Sequence, residues 1–311
     1  MTTGPVDVDP APVVAGSVAE LDLKGAVLCI GNFDGVHLGH RALLERMAEV
    51  AATQGAPSVV ITFFPPAKVV FGTATYLSSA EEKLELLAAY RPTAVVMRHF
   101  TREYAQTDKA VFVDQLRRIA PDTIIVGEDF RFGHQRQGTL NDLSPIARRL
   151  EAFGLITAGG EVVKSSRVRE HLAAGRIANA NALLAAPYPV RGEVVTGARR
   201  GRTIGYPTAN IATGERKALP GGVFAVTVDT QAGTFGGMAN VGPRPSFPDE
   251  PPSLEVHLFD FAGDLYGTTV TTRFQVFLRT QRKFGGLDEL KEQLAADERA
   301  AKQALAGVIY S

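Results

Sequence analysis

GNFDGVHLGHRALLERM, residues 31–47, decides how the chain is read. It places two of the six histidines, His37 and His40, three positions apart among glycines. Upstream lies the apolar run AVLCI (26–30). Downstream, Leu43, Leu44, Met47, Val50 and Ala51 recur at helical spacing until Gly55 offers a stop. A strand, a glycine turn and an amphipathic helix in that order form the junction at which a parallel sheet presents a phosphate site. Gly31 and Gly35 permit a tight turn, and Gly39 lets backbone come close to a ligand. The helix N-terminus adds unpaired N–H groups and a partial positive charge. His37 and His40 stand over that position as donors suited to charge growing on a phosphate.

The pattern repeats outward. SVVITFF (58–64), TAVVMRH (93–99) and TIIVGEDF (123–130) are continuous apolar runs, as expected of strands buried on both faces of a parallel sheet. KAVFVDQLRRI (109–119) and NDLSPIARRLEAFG (141–154) carry helical spacing. The expectation over residues 21–186 is a doubly wound, Rossmann-like α/β domain, preceded by a flexible arm at 1–20. After PYPVRG (187–192) the period changes to two in VFAVTVDT (223–230), SLEVHLFD (253–260) and TTVTTRFQVFL (268–278). That change predicts an antiparallel sheet with one wet face, a small β-barrel, in a second domain over 187–311. An amphipathic helix, LDELKEQLAADERAAKQAL (287–305), closes the chain.

The length of 311 residues agrees with two domains at about 150 residues each. Lys+Arg and Asp+Glu both number 33, so no global basic field points to nucleic acid; ARRGR (198–202) is a local basic patch. Cys29 is the single cysteine, which excludes an internal disulfide and a multi-thiol zinc site, and its apolar surroundings read as core. No apolar run reaches the roughly 20 residues of a membrane span. The N-terminus lacks the basic-then-apolar order of a secretory signal, so a cytoplasmic location is expected.

Two further segments carry polar groups. In VKSSRVREHLAAGR (163–176), Ser165 or Ser166 is placed to cap the helix that follows. Lys164, Arg167 and Arg169 cluster by its start and suit the β- and γ-phosphates of a triphosphate. VGEDFRFGHQRQG (126–138) sets Asp129, Arg131 and Arg136 beside Phe130 and Phe132. Those rings either receive a flat heteroaromatic ring or simply join the core. The H-x-G-H turn resembles the nucleotidyltransferase signature, whose members transfer a nucleotide from ATP and release pyrophosphate. A class I aminoacyl-tRNA synthetase would show related elements on a longer chain with a tRNA-binding surface.

GNFDGVHLGHRALL, VGEDFRFG, SSRVREHLAAG, GRTIGYPTANI and GMANVGPRPSF, in this order from about residue 24 to 305, resemble the bacterial bifunctional riboflavin kinase/FMN adenylyltransferase (FAD synthetase) family. The resemblance implies two reactions: riboflavin and ATP give FMN, then FMN and a second ATP give FAD and pyrophosphate. It implies that His37 and His40 contact ATP phosphates, with Asn32, Phe33, Asp34 and Gly39 in the same turn near the nucleotide. It further implies that Asp129 and Phe130 face the flavin, and that Ser165, Ser166 and Arg169 grip the pyrophosphate. Small-molecule substrates follow from the same likeness; a monomer or weak homo-oligomer with no nucleic-acid or membrane partner is the accompanying expectation.

The second half has no G-x-x-x-x-G-K-[ST] loop. Its substitute is GARRGRTIGYPTAN (197–210), in which Gly197, Gly201 and Gly205 allow a loop with N–H donors over phosphates. Thr208 and Asn210 offer hard oxygen ligands for Mg²⁺ on ATP, and the PTAN tetrapeptide is the riboflavin kinase hallmark. Phosphorylating a ribityl hydroxyl calls for a carboxylate to accept its proton. Glu255, Asp260 and Asp264 are the candidates, and the family likeness selects Glu255, which shares a strand face with His257. Asn240 in GMANVG and Arg279 in LRTQRKF fall in motifs near the flavin.

Three departures stand out. The family's T-F-x-P-H-P reads TFFPPA here, with Pro66 and Ala67 replacing the histidine and second proline and Lys68 following. The later motif begins Lys164-Ser165-Ser166, and Gln281 stands where an acid is usual. The first change motivates an alternative, a riboflavin kinase whose first domain is inactive or repurposed. A flavin-binding sensor without turnover is a third reading, although such a protein could dispense with Glu255 and the paired histidines.

Overall fold

The computed structural model describes residues 11–197, 201, 204–242 and 252–309, the side chain of Ile309 excepted. By its internal contacts the chain divides between Thr157 and Ala158 into two compact units.

In the first unit, β1 (Val13–Ala15), β2 (Val27–Ile30), β3 (Ser58–Phe64), β4 (Ala94–His99), β5 (Thr123–Gly127) and β6 (Arg149–Phe153) form a parallel sheet. Their order is β1-β4-β3-β2-β5-β6. Its helices are α1 (Leu38–Gln54), α2 (Ala67–Val70), α3 (Ala80–Ala88), α4 (Lys109–Arg117) and α5 (Leu140–Leu143). Leu28 and Ile30 pack on one face with Phe112 and Leu116, while Val27 and Cys29 meet Leu43, Leu44 and Met47 of α1 on the other. Two covered faces explain the continuous apolar runs, and burial pushes the Cys29 thiol pKa up. Because β2 lies between β3 and β5, the sheet grows in opposite directions from it. The end of β2 is therefore a topological switch point, where ligands of such sheets bind.

Two expectations change here. Val13–Ala15, placed in a loose arm, is an edge strand paired with Ala94–Val96; residues 1–10 lie outside the described residues. NDLSPIARRLEAFG is not one helix. After α5 and a single 3₁₀ turn at Ser144–Ile146, Arg149–Phe153 extends along Thr123–Gly127 as β6. Pro145 supplies no backbone N–H to continue α5.

At the division, β7 (Thr157–Ala158) and β8 (Glu161–Val162) form a separate two-stranded sheet; in the second unit α6 (Ser165–Ala173) and α7 (Ile177–Leu184) follow. Next come β9 (Tyr188–Val195), β10 (Ala209–Ala212), β11 (Gly222–Thr230), β12 (Gly233–Gly242), β13 (Ser253–Leu258) and β14 (Thr269–Arg279). These six close into an antiparallel barrel, cyclic order β10-β13-β12-β11-β14-β9, which leaves no edge open. α8 (Leu287–Ile309) lays Ala301 and Leu305 on Ala225, Met238 and Phe259. β11 is buried along Gly222–Val228, with α8 covering it at Ala225, where one wet face was expected. α7 is tied to the barrel by Asn181, whose amide donates to Phe274 O and accepts from Tyr188 N, both at 2.8 Å.

Candidate active sites

The first site is the β2–α1 junction. His37 is the N-cap of α1, and its Nδ1 accepts the His40 backbone N–H at 3.3 Å. The proton of the neutral His37 ring is therefore on Nε2, which makes that atom a donor. The two rings stack with centroids 3.6 Å apart and 13° between planes, and Phe33 meets His40 edge-on at 5.1 Å. Burial, His37 and Lys83 together hold the His40 pKa well below the ordinary imidazole value, so that ring is neutral at pH 7. The helix N-terminus, His37 Nε2–H and the neutral His40 ring together make a donor cluster.

The turn itself is rigidly held. Phe33 and Val36 have φ of 45° and 41°, a left-handed conformation that costs free energy unless its surroundings enforce it. Phe33 and Asp34 are both fully buried, so they shape the turn from within. Asp34 Oδ1 accepts from Leu77 N at 2.8 Å and Ser78 N at 3.1 Å, and Gly35 N donates to Ser78 Oγ at 3.0 Å. Asn32 is exposed, while its carbonyl is held from inside by Thr62 Oγ1 and Lys83 Nζ. Sequence reasoning passed over Leu77, Ser78 and Lys83. Leu77 and Ser78 hold Asp34 through backbone N–H groups that every chain shares, and Lys83 sits among charges that read as a solvated helix face. Pro66 caps α2 and Lys68 is exposed on it.

Of the flavin candidates, Asp129 is exposed and Phe130 half-buried. Phe132 belongs to the core, 4.9 Å from Phe112 and 5.8 Å from Phe130 between ring centroids. Ser165, Ser166 and Arg169 lie in the first two turns of α6, which is in the second unit. Neither serine is the cap: Lys164 holds that position, with extended backbone and no side-chain capping bond. Arg167 instead pairs with Glu170 at 2.6 Å and Glu161 at 3.7 Å.

The second site is built by strand register. Glu255 on β13 lies opposite Asn210 on β10 and Asn240 on β12; Asn240 lies opposite Val223 on β11, and Val223 opposite Arg279 on β14. Directly opposed residues share a sheet face, so one rung carries the candidate metal ligand, base and flavin contacts. A cavity of about 290 Å³ opens there, lined by Glu255, Asn240, Arg279, Thr208, Gly201 and His257 among others. Arg279 is aimed by Asp297 of α8, with Nε at 3.0 Å from both carboxylate oxygens and Nη2 at 2.7 Å from Oδ2. His257 Nδ1 lies 2.7 Å from Pro207 O; since a carbonyl only accepts, Nδ1 carries the proton. That bond ties the Glu255 strand to the PTAN segment, a link that the sequence signalled only through the shared face. Gln281 donates to Asn240 Oδ1 at 2.8 Å, which a carboxylate could not do. Gly205, with φ of 87°, turns the loop before Tyr206. Arg199, Arg200 and Arg202 of the basic patch, and residues 243–247 of the GMANVGPRPSF motif, lie outside the described residues.

Gly197 shows how closely this loop is fitted. A Cβ there would meet the Asn210 amide at 2.1 Å. Gly197→Ala is expected to displace that amide at a cost of about 1–3 kcal/mol. Steady-state assays should then show KM for ATP in FMN formation rising roughly tenfold, with FMN-to-FAD conversion unchanged.

Residues 19–168 match the family model described as FAD synthetase, and residues 184–305 match that described as riboflavin kinase. The chain is 35% identical over 297 residues to the bifunctional riboflavin kinase/FMN adenylyltransferase of Escherichia coli K12, covering 92% of this chain and 95% of that one. The Listeria monocytogenes protein of the same description is 33% identical over 282 residues, covering 88% and 90%. A solved Streptococcus pneumoniae structure described as a macrolide-efflux protein has a TM-score of 0.84 and 29% identity, covering 94% of this chain and 99% of that one. Efflux is said of that protein alone. Among the described residues here, no helix is long and apolar enough to cross a membrane.

Proposed function

The chain belongs to the bifunctional riboflavin kinase/FMN adenylyltransferase family, and from that premise we propose how its residues divide the two reactions. It phosphorylates riboflavin with ATP to FMN and adenylylates FMN with a second ATP to FAD, releasing pyrophosphate. Relatives matched across both halves carry the bifunctional description, which favours this reading over a kinase with a repurposed first domain.

In the kinase reaction Glu255 accepts the proton of the ribityl hydroxyl as its oxygen attacks the γ-phosphorus of ATP and ADP leaves. Asn240 and Arg279 hold the flavin, and the loop bearing Gly197, Gly201 and Gly205 covers the phosphates. The Thr208 hydroxyl and the Asn210 amide oxygen are hard donors that would hold Mg²⁺. Bound there, Mg²⁺ would neutralise charge on the ATP phosphates. The supporting observation is the rung that sets Asn210 and Asn240 on either side of Glu255.

In adenylyl transfer an FMN phosphate oxygen attacks the α-phosphorus in line, the bond to pyrophosphate breaks, and no protein nucleophile takes part. His37 Nε2–H, His40 and the N–H groups of α1 stabilise charge on the phosphates, while Ser165, Ser166 and Arg169 take the leaving pyrophosphate. Asn32 and Gly39 line the nucleotide, and Asp129 and Phe130 meet the flavin. We place the functional boundary near residue 187, just inside the riboflavin kinase match that begins at residue 184 and beyond the packing division at Thr157–Ala158. The chain works in the cytoplasm on soluble ATP, riboflavin and FMN, as a monomer or weak homo-oligomer.

The test is to incubate the full chain with riboflavin, ATP and Mg²⁺ and separate the flavins. FMN should form with one ADP, and FAD with one pyrophosphate. Failure to convert supplied FMN would remove the adenylyltransferase assignment while leaving the kinase.

A further inference from the structure

Lys83 is a lysine with no exposed surface, and its Nζ donates to Asn32 O at 2.8 Å and Phe63 O at 2.7 Å. These carbonyls lie at the carboxyl ends of β2 and β3, adjacent parallel strands at the switch point. We propose that Lys83 is a positioning residue for adenylyl transfer, clamping the ends of β2 and β3 so that the GNFDG turn presents His37 and His40 in reacting geometry. The inference rests on reading that turn as the nucleotide site.

Three observations converge on it. The lysine is placed by a capping box one residue earlier, where Ser79 N donates to Glu82 Oε2 at 2.6 Å and Glu82 N to Ser79 Oγ at 3.2 Å. The same segment holds the turn twice more, through Leu77 N and Ser78 N on Asp34 and through Ser78 Oγ on Gly35 N. Finally, an ammonium is costly to bury and is retained where paired. Burial brings the Lys83 pKa down to about 8, with the Asp34 charge acting in the opposite direction. Two carbonyl acceptors and one nearby carboxylate thus hold a buried cation beneath a turn whose Phe33 and Val36 are in left-handed backbone. Released, that turn would relax, and the imidazoles would move with it.

The experiment compares Lys83→Met, Thr62→Val and His37→Asn in the full chain, measuring kcat and KM for FAD formation from FMN, the riboflavin kinase rate, and the thermal unfolding midpoint. For Lys83→Met, kcat for FAD formation should fall roughly a hundredfold, the scale of an ångström-sized misplacement, with KM for ATP nearly constant and the kinase rate unchanged. A folded variant that keeps wild-type kcat overturns the proposal, whether or not its midpoint drops, and so does one in which KM alone rises. Should Lys83→Met not fold, Thr62→Val decides, because it removes the other donor to Asn32 O. A several-fold loss of kcat supports the clamp, and no loss overturns it. His37→Asn separates the two levels: retained FAD synthesis there defeats the site reading itself, whereas its loss beside an active Lys83→Met defeats only the clamp.

Discussion

Glu255→Gln in the full chain is expected to lower kcat for FMN formation by roughly 10²–10⁴, the range general-base catalysis supplies. Conversion of supplied FMN to FAD should proceed at the parent rate. Glutamine keeps the side-chain shape and leaves the β13 backbone pairs with β10 and β12 intact, so the barrel has no reason to change. What disappears is the oxygen that takes the ribityl proton. Asp260→Asn and Asp264→Asn are the controls. Asp260 is an exposed residue in left-handed backbone after β13, and Asp264 Oδ1 accepts the Tyr266 N–H at 3.0 Å within its own turn. Neither lines the cavity that Glu255 lines. Flavin separation over time would measure all three variants, and equal loss of both activities in Glu255→Gln would refute the division of labour.

The contrast among these carboxylates shows what was legible beforehand. Alternation along SLEVHLFD put Glu255 on one face with His257, and the structure keeps that relation. It could not supply the partners across the strands, because register depends on pairings far apart in sequence. The Asn210–Glu255–Asn240 rung is a property of the closed barrel rather than of any one segment. In the first unit the buried strands were legible because covered faces demand unbroken apolar runs. β6 was not: Arg149 and Glu151 interrupt RLEAF, and its strand character comes from lying at the sheet edge beside β5. The turn's glycines and histidines advertised a site, but its support did not. Leu77 and Ser78 act largely through backbone N–H groups, and Lys83 is disguised by the glutamates around it.

His37→Asn is the sharpest probe of adenylyl transfer, because His37 does two things at once. Its Nδ1 caps α1 by accepting the His40 N–H, and its Nε2 carries the proton assigned to phosphate. Alanine would remove both functions, and the lost cap alone costs about 0.5–2 kcal/mol. Asparagine is among the best N-cap residues, so α1 should keep its start and the protein its unfolding midpoint. The asparagine side chain, engaged at the cap, does not reach as far as the imidazole Nε2. FAD formation should therefore fall by roughly 10²–10³, the loss found when one preorganised donor to a developing oxyanion is removed. FMN formation should be unaffected. His40, stacked 3.6 Å away, also loses its ring partner. Because His37 is one cause of the low His40 pKa, that pKa should rise in the variant while burial and Lys83 still hold it below the ordinary value. NMR titration of the His40 ring would detect the shift. Full FAD synthesis by a folded His37→Asn protein would defeat the reading of this turn as the nucleotide site.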